Sequence, residues 1–260
     1  MSMTVRSIYR YPIKGLSAEA LTRVMLTAGQ SIPHDRRFAI AHAAACIDPE
    51  KPEWLPKTNF FMLMRDEKLA QLHTRFDEDT GFFTIERFGR LLLNARIADA
   101  SGRKSIEAFF AGFLMDRPEG HPPKLVEAPG HTFSDAKQKP DSTTRNYVSL
   151  VNLASVGEVE RAAHVSVDPI RFRANVYFDG AVAWSELDWI GKELGIGKAR
   201  LRVVSPITRC PATAVNPTTA ERDLDIPRIL LKAFAHNHMG IYAEVVEGGM
   251  VESSDLLQPV

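Results

Sequence analysis

The chain has 260 residues, which is long for one compact core and short for two large ones, so one elongated domain or two small domains are expected. Hydrophobic residues make up 45% and charged residues 25% of the chain, the balance of an ordinary folded globular protein. The 32 basic and 32 acidic side chains give a formal net charge of +0. Nucleic-acid binders usually carry a basic excess, so this balance argues against that class.

Two cysteines, Cys46 and Cys210, lie far apart in the sequence. They are too few for the disulfide framework of a small secreted domain, and neither belongs to a Cys/His zinc motif. The N-terminus has no apolar signal core, and no run approaches the roughly 18 apolar residues of a membrane span. The sequence therefore predicts a cytoplasmic protein in a reducing compartment.

The first part of the chain reads as short strands separated by turn residues, a pattern typical of a small barrel or meander. These strands are expected at residues 5–11, 21–26, 37–41, 69–73, 82–86 and 91–97. A helix is predicted over 101–114, because its apolar residues recur at helical spacing and Ser101 is suited to cap its start. Residues 1–115 are therefore interpreted as a first lobe, a small β-barrel or meander.

A segment rich in Pro, Gly, Ser, Thr and charge, residues 117–146, predicts a long surface loop between lobes. The second lobe, residues 116–260, continues with strands at 147–151, 171–178, 199–204 and 240–246. Two helices are predicted, 153–164 with Asn152 as its cap, and 225–236 with Pro227 in its first turn. His236 and His238 are placed at the end of the second helix and treated as structural.

Cys210 is the residue with the most reactive chemistry. Pro206 and Pro211 bracket it, so the thiol is expected on a loop after a strand. Arg209 is its neighbour, and a nearby cation favours the thiolate, which is both a nucleophile and a soft metal ligand. The alternative is a small buried hydrophobic residue, as most free cysteines are.

Two arginine pairs alternate with apolar residues, Arg171 with Arg173 and Arg200 with Arg202. Residues i and i+2 of a strand face the same side, so each pair is expected to line one face. Guanidinium groups bind anions through two parallel hydrogen bonds, which makes such a face a candidate anion clamp. The alternative is a solvated strand face.

Further candidates occur in loops. Lys14 lies where the first strand breaks, which allows a phosphate contact, although a surface lysine is the more common explanation. Arg36 and Arg37 precede a strand and are expected to point to opposite sides. His131 and Asp135 in the long loop form a conceivable acid–base pair, and solvated side chains are the alternative.

Six segments in order resemble the family of molybdenum cofactor sulfurase C-terminal (MOSC) domains with an N-terminal β-barrel domain. They lie at residues 11–14 (YPIK), 34–38 (HDRRF), 171–175 (RFRAN), 184–189 (WSELDW), 208–217 (TRCPATAVNP) and 240–245 (GIYAEV). The resemblance implies a mainly β fold with some α+β elements, in which a small β-barrel or meander lobe packs on a MOSC barrel with a few helices.

The resemblance also implies a molybdenum–pterin cofactor, with Cys210 as the catalytic residue and the protein ligand of the metal. The first lobe would contribute Lys14 and Arg36 to the cofactor. The second lobe would contribute Asn152, Arg173, Asn175, Thr208 and Arg209. A phosphorylated pterin is anionic, so cations and amide donors at these positions suit it.

The family includes the mitochondrial amidoxime reducing component and bacterial hydroxylaminopurine reductases, so the implied reaction is the reduction of N-hydroxylated small molecules to amines. The chain lacks the four cysteines of an iron–sulfur cluster. Electrons are therefore expected from separate flavin or iron–sulfur proteins, with no nucleic-acid or membrane partner and no pyridoxal phosphate. Two alternatives stay open: a sulfur carrier with a Cys210 persulfide, and a non-catalytic protein that binds or delivers the cofactor.

Overall fold

The computed structural model describes residues 2–42, 45, 55–114, 122–128, 130–137 and 146–260. Its first part contains eight strands and one α-helix. They are β1 (Met3–Arg10), β2 (Glu19–Leu21), β3 (Arg23–Leu26), β4 (Phe38–Ala41), β5 (His73–Phe76), β6 (Phe82–Arg87), β7 (Arg90–Arg96), α1 (Ala100–Phe113) and β8 (Lys124–Glu127). Short 3-10 helices cover Lys57–Asn59 and Glu67–Gln71.

The second part contains seven strands and two α-helices. They are β9 (Val148–Asn152), α2 (Leu153–Ala163), β10 (Val176–Asp179), β11 (Glu193–Ile196), β12 (Ala199–Thr208), α3 (Ile226–Phe234), β13 (His238–Glu247), β14 (Gly249–Glu252) and β15 (Leu256–Pro259). Further 3-10 helices cover Pro169–Phe172, Ser185–Trp189 and Pro211–Ala214. The predicted mainly β fold with a few helices is confirmed.

A closed barrel of seven strands dominates the second part. β1 pairs with both β10 and β15, which closes the ring β1–β10–β9–β13–β12–β11–β15. Every second residue of β12 from Ala199 to Ile207 is buried, because one face of the strand points into the barrel. Val5 and Ile8 of β1 join the same apolar core. The first strand of the chain is thus part of the barrel that the second part of the chain forms.

The remainder of the first part surrounds a separate core. β5, β6 and β7 form a meander, and β4 pairs with β8. Ile106 and Phe110 of α1 are fully buried in this core, together with Phe38 and Phe83 from the strands. The helix forms because its apolar residues recur on one face, which packs on the meander. β2 and β3 return to the barrel side, where β2 pairs with β1 and β3 with β14.

The three predicted helices are present, two of them with side-chain caps. Asn152 accepts a hydrogen bond from the Ala154 N–H at the start of α2, and Asp225 accepts one from the Arg228 N–H at the start of α3. The cap of α1 was predicted wrongly. It is Asp99, not Ser101, and its side chain makes no capping bond.

Four other local predictions are wrong. Residues 67–71 form a 3-10 helix, and the strand predicted at 69–73 begins only at His73. The segment predicted as a loop contains β8, and its residues 117–121, 129 and 138–145 lie outside the described residues. Asp168 and Pro169 start a 3-10 helix over Pro169–Phe172, so the strand predicted at 171–178 begins only at Val176. The helix predicted at 225–236 ends at Phe234, so neither His236 nor His238 lies at its end, and His238 opens β13.

Candidate functional site

A cavity of about 470 Å³ lies between the two parts of the fold. The first part contributes residues around 14–15, 35–36, 57 and 62–63, and the second contributes residues around 147–149, 171–175, 206–213 and 242. Residues 134–137, between β8 and β9, complete the lining. This volume lies within the range of small-molecule and cofactor sites. Both parts of the chain are therefore needed to form its walls.

The cavity wall carries a strong excess of positive charge, although the chain as a whole is neutral. Seven basic residues line it: Lys14, Arg36, Lys57, Lys137, Arg171, Arg173 and Arg209. The carboxylates in the lining are Asp35 and Asp135. A concave surface with this imbalance concentrates anions and favours an anionic ligand.

Cys210 lies on this wall two residues after the end of β12, on a loop after a strand as predicted. Its carbonyl accepts hydrogen bonds from the Thr213 N–H at 3.1 Å and the Thr213 hydroxyl at 2.9 Å, which hold the short turn that Pro211 opens. The thiol is half-buried and forms no disulfide. The other cysteine, Cys46, lies outside the described residues. Thr208, at the end of β12, is exposed at the rim.

Arg209 is held by backbone carbonyls. Its Nε and Nη2 donate to the Met239 carbonyl at 2.9 and 2.6 Å, and its Nη1 donates to the Phe172 carbonyl at 2.7 Å. Burial lowers the pKa of this guanidinium, and the neighbouring Tyr242 and Tyr177 partly oppose that shift. The group ties the Cys210 loop to β13 and to the segment before β10.

Arg36 and Arg173 both pack against the ring of Tyr11. Each guanidinium carbon lies 4.4 Å from the ring centroid, a distance suited to cation–π attraction. Arg36 Nη2 donates to the Arg173 carbonyl at 2.8 Å, and Arg173 Nη1 donates to the Leu16 carbonyl at 2.8 Å. The phenol donates to the Ala174 carbonyl at 3.1 Å. This stack joins the two lobes at the cavity.

Both arginines of this stack have left-handed backbone angles, with φ of 48° at Arg36 and 50° at Arg173. Such angles are uncommon outside glycine and are often kept where a side chain must be aimed at a site. Burial raises the pKa of Tyr11 to about 12 and lowers the pKa of Arg173 to about 10. Arg173 therefore stays protonated at neutral pH, and the phenol stays neutral.

Lys14 is also a cavity residue and not a surface lysine. Its side chain is buried, and its ammonium donates to the Phe133 carbonyl at 3.0 Å and to the Asp135 carboxylate. Burial lowers the pKa of Lys14, while Asp135 opposes that shift. Desolvation would raise the pKa of Asp135, but the ammonium groups of Lys14 and Lys57 outweigh it and hold that pKa below its ordinary value.

Asn175 and Asn152 have different surroundings. Asn175 is buried in the cavity wall, where its Oδ1 accepts from the Ser149 N–H and hydroxyl and its Nδ2 donates to the Tyr9 carbonyl. Asn152 lies outside the cavity lining. Its amide caps α2 and donates to the Val182 carbonyl and to Glu186. The fold thus brings together seven of the eight predicted site residues: Lys14, Arg36, Arg173, Asn175, Thr208, Arg209 and Cys210.

The predicted arginine pairs do not form an anion clamp on strands. Arg171 and Arg173 lie on and after a 3-10 helix, where Arg171 forms an ion pair with Asp223. Arg200 and Arg202 do share one face of β12, but that face points outward. There Arg200 pairs with Glu193 and Glu247, and Arg202 pairs with Glu244. The solvated-face alternative describes this second pair.

Several cavity residues carried no clear signal in the sequence. Lys57 and Tyr242 line the cavity, and the Tyr11 ring packs against two of its arginines. The three residues come from distant segments of the chain. His131 packs against Phe133 and does not appear in the cavity lining, whereas Asp135 does. Arg37 points away from the cavity and pairs with Glu127, opposite to Arg36 as predicted.

The fold and this site define a two-lobed β protein with a cationic cavity and one thiol on the cavity wall. Residues 131–258 match the MOSC domain, and residues 2–114 match the MOSC N-terminal beta barrel domain. The chain belongs to the MOSC family, as the sequence motifs indicated, and is related to molybdenum cofactor sulfurases.

The chain is 23% identical over 251 residues to molybdenum cofactor sulfurase from Homo sapiens, covering 84% of this chain and 27% of that protein. It is 26% identical over 236 residues to molybdenum cofactor sulfurase from Caenorhabditis briggsae, covering 88% and 31%. The chain thus spans about a third or less of the length of these curated relatives. The YUAD protein from Bacillus subtilis is a similar solved structure, with 13% identity, a TM-score of 0.45 and coverage of 99% and 94%.

No helix in the described parts of the chain has the length and hydropathy to cross a membrane.

Proposed function

We propose that this protein is an oxidoreductase that binds a molybdenum–pterin cofactor and reduces N-hydroxylated small molecules to amines, using electrons from separate flavin or iron–sulfur proteins. The observation that carries the proposal is a half-buried thiol, Cys210, on the wall of a cationic cavity in a MOSC-family chain. Sulfur is the donor that suits a soft metal already bound by sulfur, and guanidinium groups suit a phosphate.

The residues of the cavity fit such a cofactor. Arg173 and Arg209 are positioned by backbone carbonyls, and no carboxylate of the described residues forms an ion pair with either guanidinium. Arg36, by contrast, pairs with Asp35. Arg171 Nε is buried on the same wall and has no hydrogen-bond partner among the described residues. A buried unpaired donor is costly unless a ligand or water satisfies it. These features support an anionic ligand with several acceptors.

Each of these residues would have a separate task at the cofactor. Lys14, Arg36 and Arg173 would neutralise and orient the anionic end of the cofactor, and Cys210 would provide the thiolate that binds the metal. Arg209 holds the Cys210 loop through its bonds to the Met239 and Phe172 carbonyls. The bound cofactor supplies the two-electron redox chemistry, and the cavity walls restrict the access of water to it.

The test is the molybdenum content of purified protein from a host that makes the cofactor. Wild type should carry near-stoichiometric molybdenum, Cys210→Ser should lose it or bind it in an altered form, and Cys46→Ser serves as the matched control. Wild type with added electron-transfer proteins should then reduce a hydroxylamine, and Cys210→Ser should not. Well-folded wild type without molybdenum would contradict the proposal.

The similarity to molybdenum cofactor sulfurases supports a second candidate, sulfur transfer through a Cys210 persulfide. Persulfide chemistry requires the thiol but no molybdenum, so a persulfide on Cys210 in metal-free protein would favour it. A third outcome, bound molybdenum without turnover of any N-hydroxylated compound, would indicate a protein that binds or delivers the cofactor.

A further inference from the structure

The two carboxylates in the cavity lining differ in how firmly they are held. Asp35 is buried, accepts a hydrogen bond from the Tyr11 N–H at 2.8 Å and pairs with Arg36. The side chain of Asp135 is 47% exposed. Asp35 is therefore a fixed part of the wall, whereas the Asp135 carboxylate reaches into the cavity from a solvent-facing position.

Asp135 sits between two ammonium groups. Its Oδ1 contacts Lys14 Nζ, and its Oδ2 lies 3.9 Å from Lys57 Nζ. The Lys14 side chain is only 8% exposed, and its other acceptor is the neutral Phe133 carbonyl. A buried ammonium needs an anionic partner, because desolvating an unpaired charge is strongly unfavourable. Asp135 provides that partner.

The segment that carries Asp135 is anchored just before it. The Phe133 N–H donates to the Arg36 carbonyl at 2.8 Å, and the Phe133 ring packs edge-on against Phe60. The Thr132 and Ser31 hydroxyls lie 3.2 Å apart. These contacts hold the backbone before Asp135, so its half-exposed side chain is free to turn toward solvent without loss of the anchors.

We infer that Asp135 is an internal counter-anion that occupies the phosphate position of the cavity and is displaced when a phosphate-bearing ligand binds. A phosphate offers more negative charge and more acceptor oxygens than one carboxylate, so it satisfies Lys14 and Lys57 together. The released carboxylate is hydrated in solvent. Asp135 therefore lowers the affinity for anions and selects ligands whose charge exceeds that of a single carboxylate.

This inference deepens the proposed function, since it rests on the cofactor's phosphate as the natural occupant, but its test needs no molybdenum. Pyrophosphate binding is measured by isothermal titration calorimetry on the full chain, produced in a host that cannot make the pterin cofactor. Asp135→Asn should bind pyrophosphate roughly tenfold more tightly than wild type, which corresponds to about 1.4 kcal/mol. Asp135→Glu, which keeps the carboxylate, should stay within about twofold of wild type.

Asp179→Asn is the matched control, because it removes the same charge from an ion pair with Arg6 that lies outside the cavity lining. Its pyrophosphate affinity should equal that of wild type. Equal affinities of Asp135→Asn and Asp179→Asn, or weaker binding by Asp135→Asn, would overturn the inference, as would undetectable binding by all variants. Tighter binding by Asp135→Asn alongside wild type without molybdenum would contradict the proposed function and leave this inference intact.

Discussion

Replacing Tyr11 tests whether its ring holds the two cavity arginines together. The side chain is fully buried, the guanidinium carbons of Arg36 and Arg173 each lie 4.4 Å from the ring centroid, and the hydroxyl donates to the Ala174 carbonyl. Tyr11→Phe removes only the hydroxyl and leaves a buried carbonyl with one partner fewer, a loss of about 1–2 kcal/mol in the free energy of unfolding. Tyr11→Leu removes the ring as well.

The loss of the ring is expected to be the larger effect. Each cation–π contact contributes about 1 kcal/mol, and more when desolvated. Two such contacts, the hydroxyl bond and the smaller apolar volume together make Tyr11→Leu about 3–5 kcal/mol less stable than wild type. Without the ring, the guanidiniums of Arg36 and Arg173 repel each other and are no longer held at the cavity wall. The pyrophosphate affinity of Tyr11→Leu should therefore fall about tenfold, whereas that of Tyr11→Phe should stay close to wild type.

Urea unfolding monitored by circular dichroism gives the stabilities, and calorimetry gives the affinities. Phe178→Leu is the control for a smaller buried aromatic residue, because Phe178 lies in the barrel core beside Trp189. It should be less stable than wild type but bind pyrophosphate equally well. Equal destabilisation of Tyr11→Phe and Tyr11→Leu, with unchanged affinity in both, would refute the role assigned to the ring.

Three further predictions concern the capping asparagine, a strand glycine and the pH dependence of binding. Asn152→Ala should lower the free energy of unfolding by about 2 kcal/mol, because α2 loses its cap and buried Glu186 loses a donor. It should leave molybdenum content unchanged, and loss of the metal would instead mark Asn152 as a cofactor ligand. Gly240→Ala should lower the melting temperature sharply, with a loss of about 3 kcal/mol or more, because φ is 74° and a Cβ there would overlap the Leu150 carbonyl oxygen; an unchanged melting temperature would contradict this. Burial lowers the pKa of Arg173 to about 10, so pyrophosphate affinity should fall as pH rises through that value and the guanidinium loses its charge. Calorimetry should show a weaker decline in Arg173→Gln, and an identical pH profile would rule out this origin.

The sequence predicted an element best where its spacing of apolar residues or its capping residue matched the burial of that element in the fold. The helical spacing of apolar residues predicted α1, and the capping residue Asn152 predicted the start of α2. The alternation along 199–204 predicted β12 because one of its faces is buried and the other solvated. Such patterns lie within a few residues, so they can be recognised without knowledge of the rest of the fold.

Local patterns failed where the same residues suit two structures. The alternating polar and apolar residues of 171–175 resemble a strand, yet Asp168 and Pro169 start a 3-10 helix that turns Arg173 toward Tyr11. β8 was concealed in a segment rich in turn residues, because its pairing depends on the distant β4. Long-range pairing of this kind leaves no mark in a short window of sequence.

The candidate site was predictable in membership but not in arrangement. Resemblance to a family, and not residue spacing, grouped Lys14, Arg36, Arg173 and Cys210. The packing of two arginines against Tyr11 and the pairing of Lys14 with Asp135 became evident only from the fold, because these contacts join residues that lie far apart in sequence. Asn152 shows the opposite case, in which a residue grouped by resemblance uses its amide for a helix cap and a buried carboxylate.

Because β1 closes the barrel, the chain cannot be divided into two lobes by a single cut, and lobes cannot be exchanged between relatives at a single junction. The lobe built on β4–β8 and α1 is an insertion between β3 and β9, so the two ends of the polypeptide enclose its middle. A cut near residue 115 would leave β10 and β15 as open sheet edges, since their shared neighbour would be on the other fragment. Exchange of lobes between relatives therefore requires two junctions, one after β3 and one before β9, and a single crossover would separate a barrel from its own first strand.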